Sequence, residues 1–377
     1  MSSPPSHPPA PRAWVDDLPT VGLFGVLALG LGAWSGVGPA LEAAAGADFI
    51  KGAWGAAFER KLDEEAPHRA LALPLWGAIE YFGFGDGRDG VVIGENGVLF
   101  TDEELIGYKD EAAVEAAKLE LILRVKAALA AKGVGLVVAL VPAKVRIEEA
   151  ELGRPWPEGP RGRYDRFLGM LAEHGVTAPD LRPALVGLEA RGTPAFLRTD
   201  THWTPAGAQA TADLLAQSIL AQRLLPAQGS AVYARAEGEE IVHEGDLLKY
   251  IPLGPLAARG PAPDRFAPPR FSLVSGGGGG GLLDEVSVPV ALVGTSYSFN
   301  PLFGFAGALQ VALGADVLNA AQEGLGPVSP MVRYLGDDAL AQSPPQLVIW
   351  EIPERYIPRT DELATLPPAL APEVSAP

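Results

Sequence analysis

The sequence predicts an α/β protein, a mostly parallel sheet with helices packed on both faces as a three-layer sandwich. Three observations predict it. Leu136 to Val141 is a short continuous apolar run, and Val288 to Val293 and Leu347 to Ile352 are apolar apart from Glu351, the pattern of strands covered on both faces. The segments between them carry helix starts and stops, and strands alternating with helices feed parallel crossovers. A chain of 377 residues, 48% hydrophobic and 20% charged, can fill one large domain with insertions or two modest domains.

Taken in order, residues 1–40 form a Pro-rich tail followed by Val21 to Gly38, an uncharged stretch just long enough for one membrane span. It reads as a signal anchor. A cleaved signal peptide, with small residues at Ala43 to Ala47, and a buried apolar helix are the alternatives. Residues 40 to 88 look helical and peripheral, with FERKLDEE as a charged face. Asn96-Gly97 between two apolar runs is a hairpin signal, because both residues tolerate positive φ. A long helix is predicted from about Asp110 to Lys132, ended by Gly133, and another from Arg163 to His174, ended by Gly175. Thr204 and Pro205 suit the N-cap and first position of a helix running to about Gln222. Residues 223–285, rich in Pro, Gly and charge, interrupt the pattern as an insertion, and Gly276 to Gly281 reads as a flexible surface loop. The core domain is thus placed at 41–360, with an irregular tail at 361–377.

The net charge of −17 argues against a nucleic-acid partner or an anionic membrane surface, and a polyanionic substrate would need a local basic patch. With no cysteine, disulfides, thiolate metal sites and a cysteine nucleophile are excluded. No histidine or carboxylate cluster has metal-ligand spacing, so neither metal nor cofactor is expected.

Two motifs carry chemistry. Asp200-Thr201-His202-Trp203 precedes the Thr204 cap, and in an extended segment Asp200 and His202 lie side by side. The plain structural reading is that they brace the helix start. Gly294-Thr295-Ser296-Tyr297-Ser298 follows an apolar strand, which puts Ser296 at the carboxyl edge of the sheet, where open α/β folds bind ligands. Gly294 would allow a sharp turn there, and the N–H groups after the serine, Tyr297 first, could receive an oxyanion. Together the motifs hold a nucleophile, a base and a carboxylate to orient the base. The other four histidines (His7, His68, His174, His243) stand in unremarkable contexts. Arg355 and Tyr356, past the last strand, and Asn319 are further oxyanion or substrate candidates; an Arg355–Glu354 ion pair and a turn at Asn319 are the structural alternatives. Lys144, after Pro142, is either an electrostatic element of the site or, more simply, a solvated loop lysine.

These residues resemble a known group. With Asn96-Gly97-Val98-Leu99-Phe100, Val141-Pro142-Ala143-Lys144, Gly324-Leu325-Gly326-Pro327 and Trp350 to Tyr356, they are similar to the SGNH-hydrolase-type O-acetyltransferases of exopolysaccharide acetylation, the AlgX/AlgJ-like family, over most of residues 55 to 357. Ordinary SGNH esterases place the serine motif first; here the order is permuted, as in this family. The resemblance implies Ser296 as nucleophile, His202 as base, Asp200 as its partner, and an acetyl-serine intermediate handed to a sugar hydroxyl. It also implies a periplasmic setting, a polysaccharide acceptor, a membrane-bound O-acyltransferase as acetyl supplier, and other secretion-complex proteins. The chain leaves no room for the C-terminal carbohydrate-binding domain of the AlgX type, so the AlgJ type is the nearer. The alternatives are a carbohydrate acetylesterase using the same three residues and a non-catalytic scaffold of a secretion complex.

Overall fold

The computed structural model describes Glu42 and residues 69–225, 229–276 and 288–372. The predicted span at 21–38, the FERKLDEE stretch and residues 277–281 of the glycine run lie outside them. Among the described residues, no helix is long and apolar enough to cross a membrane.

The chain divides into two compact units. The smaller takes residues up to Gly85 together with Ile251–Gly260. It contains helix α1 (Arg69–Ile79), a π-type turn at Glu80–Phe84 and a 3₁₀ turn at Gly254–Arg259. The larger unit, Asp86–Tyr250 and Pro261 onward, holds the sheet.

In the larger unit, β1 (Val91–Ile93) and β2 (Leu99–Thr101) pair antiparallel across the Asn96-Gly97 turn. Both turn residues are left-handed, Asn96 at φ 54° and Gly97 at φ 77°, as the hairpin reading requires. Then follow α2 (Glu111–Ala130), β3 (Gly135–Val141), the single turn α3 (Lys144–Ile147), α4 (Glu158–Glu173), α5 (Arg182–Glu189) and α6 (Pro205–Ala221). α4 begins five residues earlier than predicted, because Pro160 is tolerated in a first helical turn. The insertion forms β4 (Val232–Glu237), β5 (Ile241–His243), β6 (Asp264–Phe266) and β7 (Pro269–Ser275), paired antiparallel as β4 with β7 and β5 with β6. The remainder is β8 (Val290–Val293), α7 (Ser296–Phe299), α8 (Phe305–Leu313), β9 (Val317–Asn319), α9 (Val328–Leu335), α10 (Asp338–Gln342) and β10 (Leu347–Pro353).

The main sheet has the order β3-β10-β8-β9, and every pairing in it is parallel. Alternation along its strands splits the core into two layers. Leu136, Val138, Leu140, Ala291, Val293, Val348 and Trp350 pack with α2, α4 and α9 on one face. Val137, Ala139, Val141, Val290, Leu292, Leu347 and Ile349 pack with α5, α6 and α8 on the other. That is why these strands are apolar on both faces, with Glu351 on β10 and Asn319 on β9 as the polar exceptions. The end of the chain, predicted irregular, is a series of turns as far as residue 372, yet it is packed. Leu363 and Leu370 join the first layer, and the Glu362 carboxylate accepts from the buried Lys118 ammonium at 2.5 Å.

Candidate active site

The segment carrying Asp200 and His202 is a tight loop rather than the extended run expected. A bridge between Phe196 and Trp203 closes it, with Leu197 N–H on the His202 carbonyl (3.0 Å) and Thr204 N–H on the Ala195 carbonyl (2.9 Å). Asp200 and His202 lie together because Asp200 Oδ1 accepts the His202 backbone N–H at 2.9 Å, a turn that a short carboxylate side chain makes with the amide two residues on. Trp203 is fully buried, edge-on to Tyr297 and tilted against Phe305. The Thr204 hydroxyl then caps α6 by accepting from Gly207 N–H at 3.1 Å, and Pro205 opens the helix.

Ser296 stands where β8 leaves the sheet, as the first residue of α7, behind Thr295 as N-cap. Gly294 serves a different purpose from the sharp turn expected. It lies outside the left-handed region, and a Cβ there would meet Glu351 Oε2 at 2.4 Å. Glu351, fully buried on β10, accepts from Thr295 N–H (2.7 Å), the Thr295 hydroxyl (3.0 Å) and the Ser298 hydroxyl (3.0 Å). The glycine lets that carboxylate close on the loop. Burial pushes the Glu351 carboxyl pKa up, against those hydrogen bonds.

The three sequence-predicted residues come together. His202 Nε2 is 2.7 Å from Ser296 Oγ, and His202 Nδ1 is 2.6 Å from Asp200 Oδ1. Burial alone would raise the Asp200 pKa, but hydrogen bonds from His202 and His243 hold it well below the usual carboxylate range. An ionised carboxylate only accepts, so His202 carries its proton on Nδ1 and Nε2 is left to accept from the serine hydroxyl. The ring is held between Tyr297 (centroids 4.6 Å apart) and Phe303 (5.0 Å, 22° between planes). Among the described residues the Ser296 backbone N–H has no hydrogen-bond partner. Such an arrangement can deprotonate a serine as it attacks a carbonyl, and offer an amide to the oxyanion.

Four residues that sequence reasoning set aside or missed complete the surroundings. His243, in the insertion, places Nε2 2.7 Å from Asp200 Oδ2. Asp246 donates its N–H to the same oxygen at 3.2 Å and accepts from Thr201 N–H (2.9 Å) and hydroxyl (2.7 Å). Asp264 accepts from the backbone N–H groups of Arg198 and Thr199, both at 2.9 Å. Lys144 is not a solvated loop lysine. It is 1% exposed, and its ammonium reaches the carbonyls of Leu99 (2.7 Å), Leu197 (2.5 Å), Arg198 (2.9 Å) and Asp200 (3.2 Å). No local pattern marks His243, since its importance depends on a pairing of β5 with β6 that brings it to a loop 43 residues earlier. Lys144 had a clue in Val141-Pro142-Ala143, the strand end that leads into the short turn it opens.

The remaining candidates do other work. The Tyr297 ring is buried; its hydroxyl donates to the Thr201 carbonyl and accepts from Arg355 Nη1 at 3.3 Å. Its backbone N–H is occupied by the Thr295 hydroxyl at 3.3 Å. Arg355 lies against the Tyr297 and Tyr356 rings and pairs with Glu103 (3.5 Å), whereas Glu354 pairs with Arg146 (2.6 Å), so the expected Glu354–Arg355 ion pair is replaced by two others. Tyr356 sits between Arg355 and Arg359, with no hydrogen bond to the three residues among those described. Asn319 is a tether: Nδ2 donates to the Ser298 carbonyl (2.8 Å) and Oδ1 accepts from Ala321 N–H (3.1 Å). Asp200, His202 and Asp246 put ligand-capable atoms within 4.8 Å of one another, but those atoms are engaged with His202, Asp200 and Thr201, and a cation there would displace these bonds.

A serine, histidine and aspartate in one hydrogen-bonded row at the carboxyl edge of a parallel three-layer sheet define the class, an SGNH-hydrolase-like α/β enzyme. The family described as SGNH hydrolase-like domain, acetyltransferase AlgX matches residues 91–354, and the chain belongs to it. It is 42% identical over 351 residues to a probable alginate O-acetylase AlgJ of Azotobacter vinelandii, spanning 91% of this chain and 89% of that one. With the probable alginate O-acetylase AlgJ of Pseudomonas aeruginosa it shares 40% identity over 361 residues, 91% and 90% of the two chains. The solved O-acetyltransferase domain of Pseudomonas putida AlgJ superposes with a TM-score of 0.68 at 38% identity, covering 74% of this chain and 96% of that domain. The enzyme is an O-acetyltransferase.

Proposed function

We propose that this O-acetyltransferase acts outside the cytoplasm on alginate, through an acetyl-enzyme formed on Ser296. The observation that carries the reading is the unbroken row Ser296 Oγ, His202 and Asp200, at 2.7 and 2.6 Å, in a chain of this family. As Ser296 Oγ bonds to the acetyl carbonyl carbon, its proton passes to His202 Nε2, and Asp200 stabilises the imidazolium. His202 returns the proton to the leaving group as the donor's bond breaks. A sugar hydroxyl then attacks the acetyl-serine, gives its proton to Nε2, and Ser296 Oγ recovers that proton on release. The Ser296 N–H is the oxyanion donor. A membrane-bound O-acyltransferase supplies the acetyl group, and residues 21–38 anchor the chain.

An anionic polymer needs cations from this acidic chain, and one groove carries them. About 650 Å³ in volume, it is lined by Leu197, Arg198 and Thr204 on either side of the loop that bears Asp200 and His202, though not by those two residues, and by Arg235, Arg265 and Phe266. Glu237 and Asp264 line it too, Asp264 with its carboxylate turned to backbone N–H groups.

The test uses the full chain in detergent with p-nitrophenyl acetate. A burst of p-nitrophenol and one acetyl group on Ser296 by mass spectrometry are expected, with both lost in Ser296→Ala and in His202→Ala. Acetylation persisting in Ser296→Ala would sink the assignment. Added alginate oligosaccharides should then take the acetyl group; release of acetate alone would make the enzyme an esterase.

A further inference from the structure

The acyl-transfer step uses one histidine, yet Asp200 is bonded to two. His202 holds Oδ1, and His243, from β5 of the insertion, holds Oδ2 at 2.7 Å. Because the carboxylate is ionised and only accepts, His243 must carry a proton on Nε2. The Asp246 N–H at 3.2 Å completes four donors on the two oxygens, two to each, so the carboxylate is fully engaged and cannot turn about its bond without losing several of them. The ring of His243 is aimed by edge-on contacts with Phe266 (5.6 Å) and Phe303 (6.2 Å), and Phe303 is the ring stacked on His202. The two histidines therefore share one aromatic neighbour, Phe303, and one carboxylate, Asp200.

We propose that His243 is a positioning residue for acyl transfer, holding Asp200 so that Oδ1 stays on His202, and that a second proton on its ring weakens the base. The inference rests on Ser296 and His202 acting as described above. In its neutral form His243 donates from Nε2 and leaves the full carboxylate charge for His202. Protonated on Nδ1 as well, it is a cation against Asp200, which then stabilises the His202 imidazolium less, and acylation slows. The groups facing His243 favour that second proton: Asp200 on the loop, Asp246 beyond β5, and Asp264 opposite it on β6. The hydrogen bond to Asp200, with those charges, raises its pKa above the ordinary histidine value although burial opposes it. The nearby cations are engaged elsewhere, Arg265 with Glu240 at 3.2 Å and Lys144 with backbone carbonyls, including that of Asp200.

Two variants of the full chain separate positioning from folding. His243→Phe keeps an aromatic ring and loses the donor; His243→Gln keeps an N–H near the Nε2 position and cannot titrate. With p-nitrophenyl acetate, His243→Phe should acetylate Ser296 about tenfold to a hundredfold more slowly, with KM changed less than about twofold. His243→Gln should recover to within about threefold of wild type above neutral pH. On the acidic side the wild-type acylation rate should fall more steeply than the slope of one proton, and that of His243→Gln with the slope of one. His243→Phe acylating at the wild-type rate, or His243→Gln as slow as His243→Phe, would overturn the positioning role. Equal single-proton slopes would overturn the second-proton effect. A wild-type enzyme with no burst at all would instead overturn the Ser296 reading, and the inference with it.

Discussion

Lys144 gives up the hydration of an ammonium to hold four carbonyl oxygens, three of them on the loop that presents Asp200. Its burial lowers the lysine pKa, with Glu148, Glu104 and Asp264 opposing. A buried cation with no carboxylate in contact survives only where its hydrogen bonds are complete, and here they are over-complete, since three N–H donors serve four acceptors. Replacement by methionine keeps the stem and removes the donor; the Arg198 carbonyl keeps the Leu99 N–H at 2.7 Å, and each carbonyl left unpartnered costs about 1–3 kcal/mol. We expect Lys144→Met to lower unfolding free energy by about 3 kcal/mol or more in denaturant melts, and to slow acetylation as the Asp200 loop loosens. A loss under about 1 kcal/mol would mean that water takes the ammonium's place.

At the scale of elements, the site is assembled where β3, β8 and β10 end, each strand contributing a different function. β8 delivers Ser296, β10 delivers Glu351 to brace its loop, and the end of β3 delivers Lys144. The β8 and β10 contributions meet at Gly294, where no side chain fits. Gly294→Ala should force Glu351 off the Thr295 and Ser298 donors, slow Ser296 acetylation about tenfold or more, and cost about 1–3 kcal/mol of stability. Acetylation at the wild-type rate would show that the loop absorbs the methyl group. This level also explains what was legible. The strands, the Asn96-Gly97 hairpin and the Thr204 cap are local patterns of two to seven residues, so Ser296, His202 and Asp200 could be placed on them before any coordinates. His243 and Asp264 were not legible, because antiparallel pairing inside a Pro- and Gly-rich insertion has no local periodicity strong enough to fix its register. Gly294 reads locally as a turn residue, because a close approach by a residue 57 positions later leaves no mark in the neighbouring sequence.

For the whole molecule, the engaged groups of the site set how stability varies with pH. Asp200 is held below its unfolded value of about 3.9, so its contribution is complete above that pH and is lost as pH falls through the lower folded value. His243 is raised above about 6.5; its contribution is complete below that pH and is lost as pH rises through the folded value. Glu104 and Glu351, raised chiefly by burial, act in the same direction as His243. Their folded forms bind a proton more readily, so each withdraws stability as pH climbs from about 4.3 to its folded pKa. The site therefore favours mildly acidic conditions for stability, whereas the proposed acyl transfer needs a neutral His202 and is fastest with His243 neutral. Melting temperatures of wild type and His243→Gln across pH 5 to 9 should converge on the alkaline side and separate on the acidic side, wild type being the more stable there. In Asp200→Asn the advantage of an engaged His243 proton should vanish, and the two curves with and without His243→Gln should run parallel. A gap that widened toward alkaline pH instead would reverse the sign and show that the His243 pKa is lowered in the folded protein, whatever its distance from Asp200.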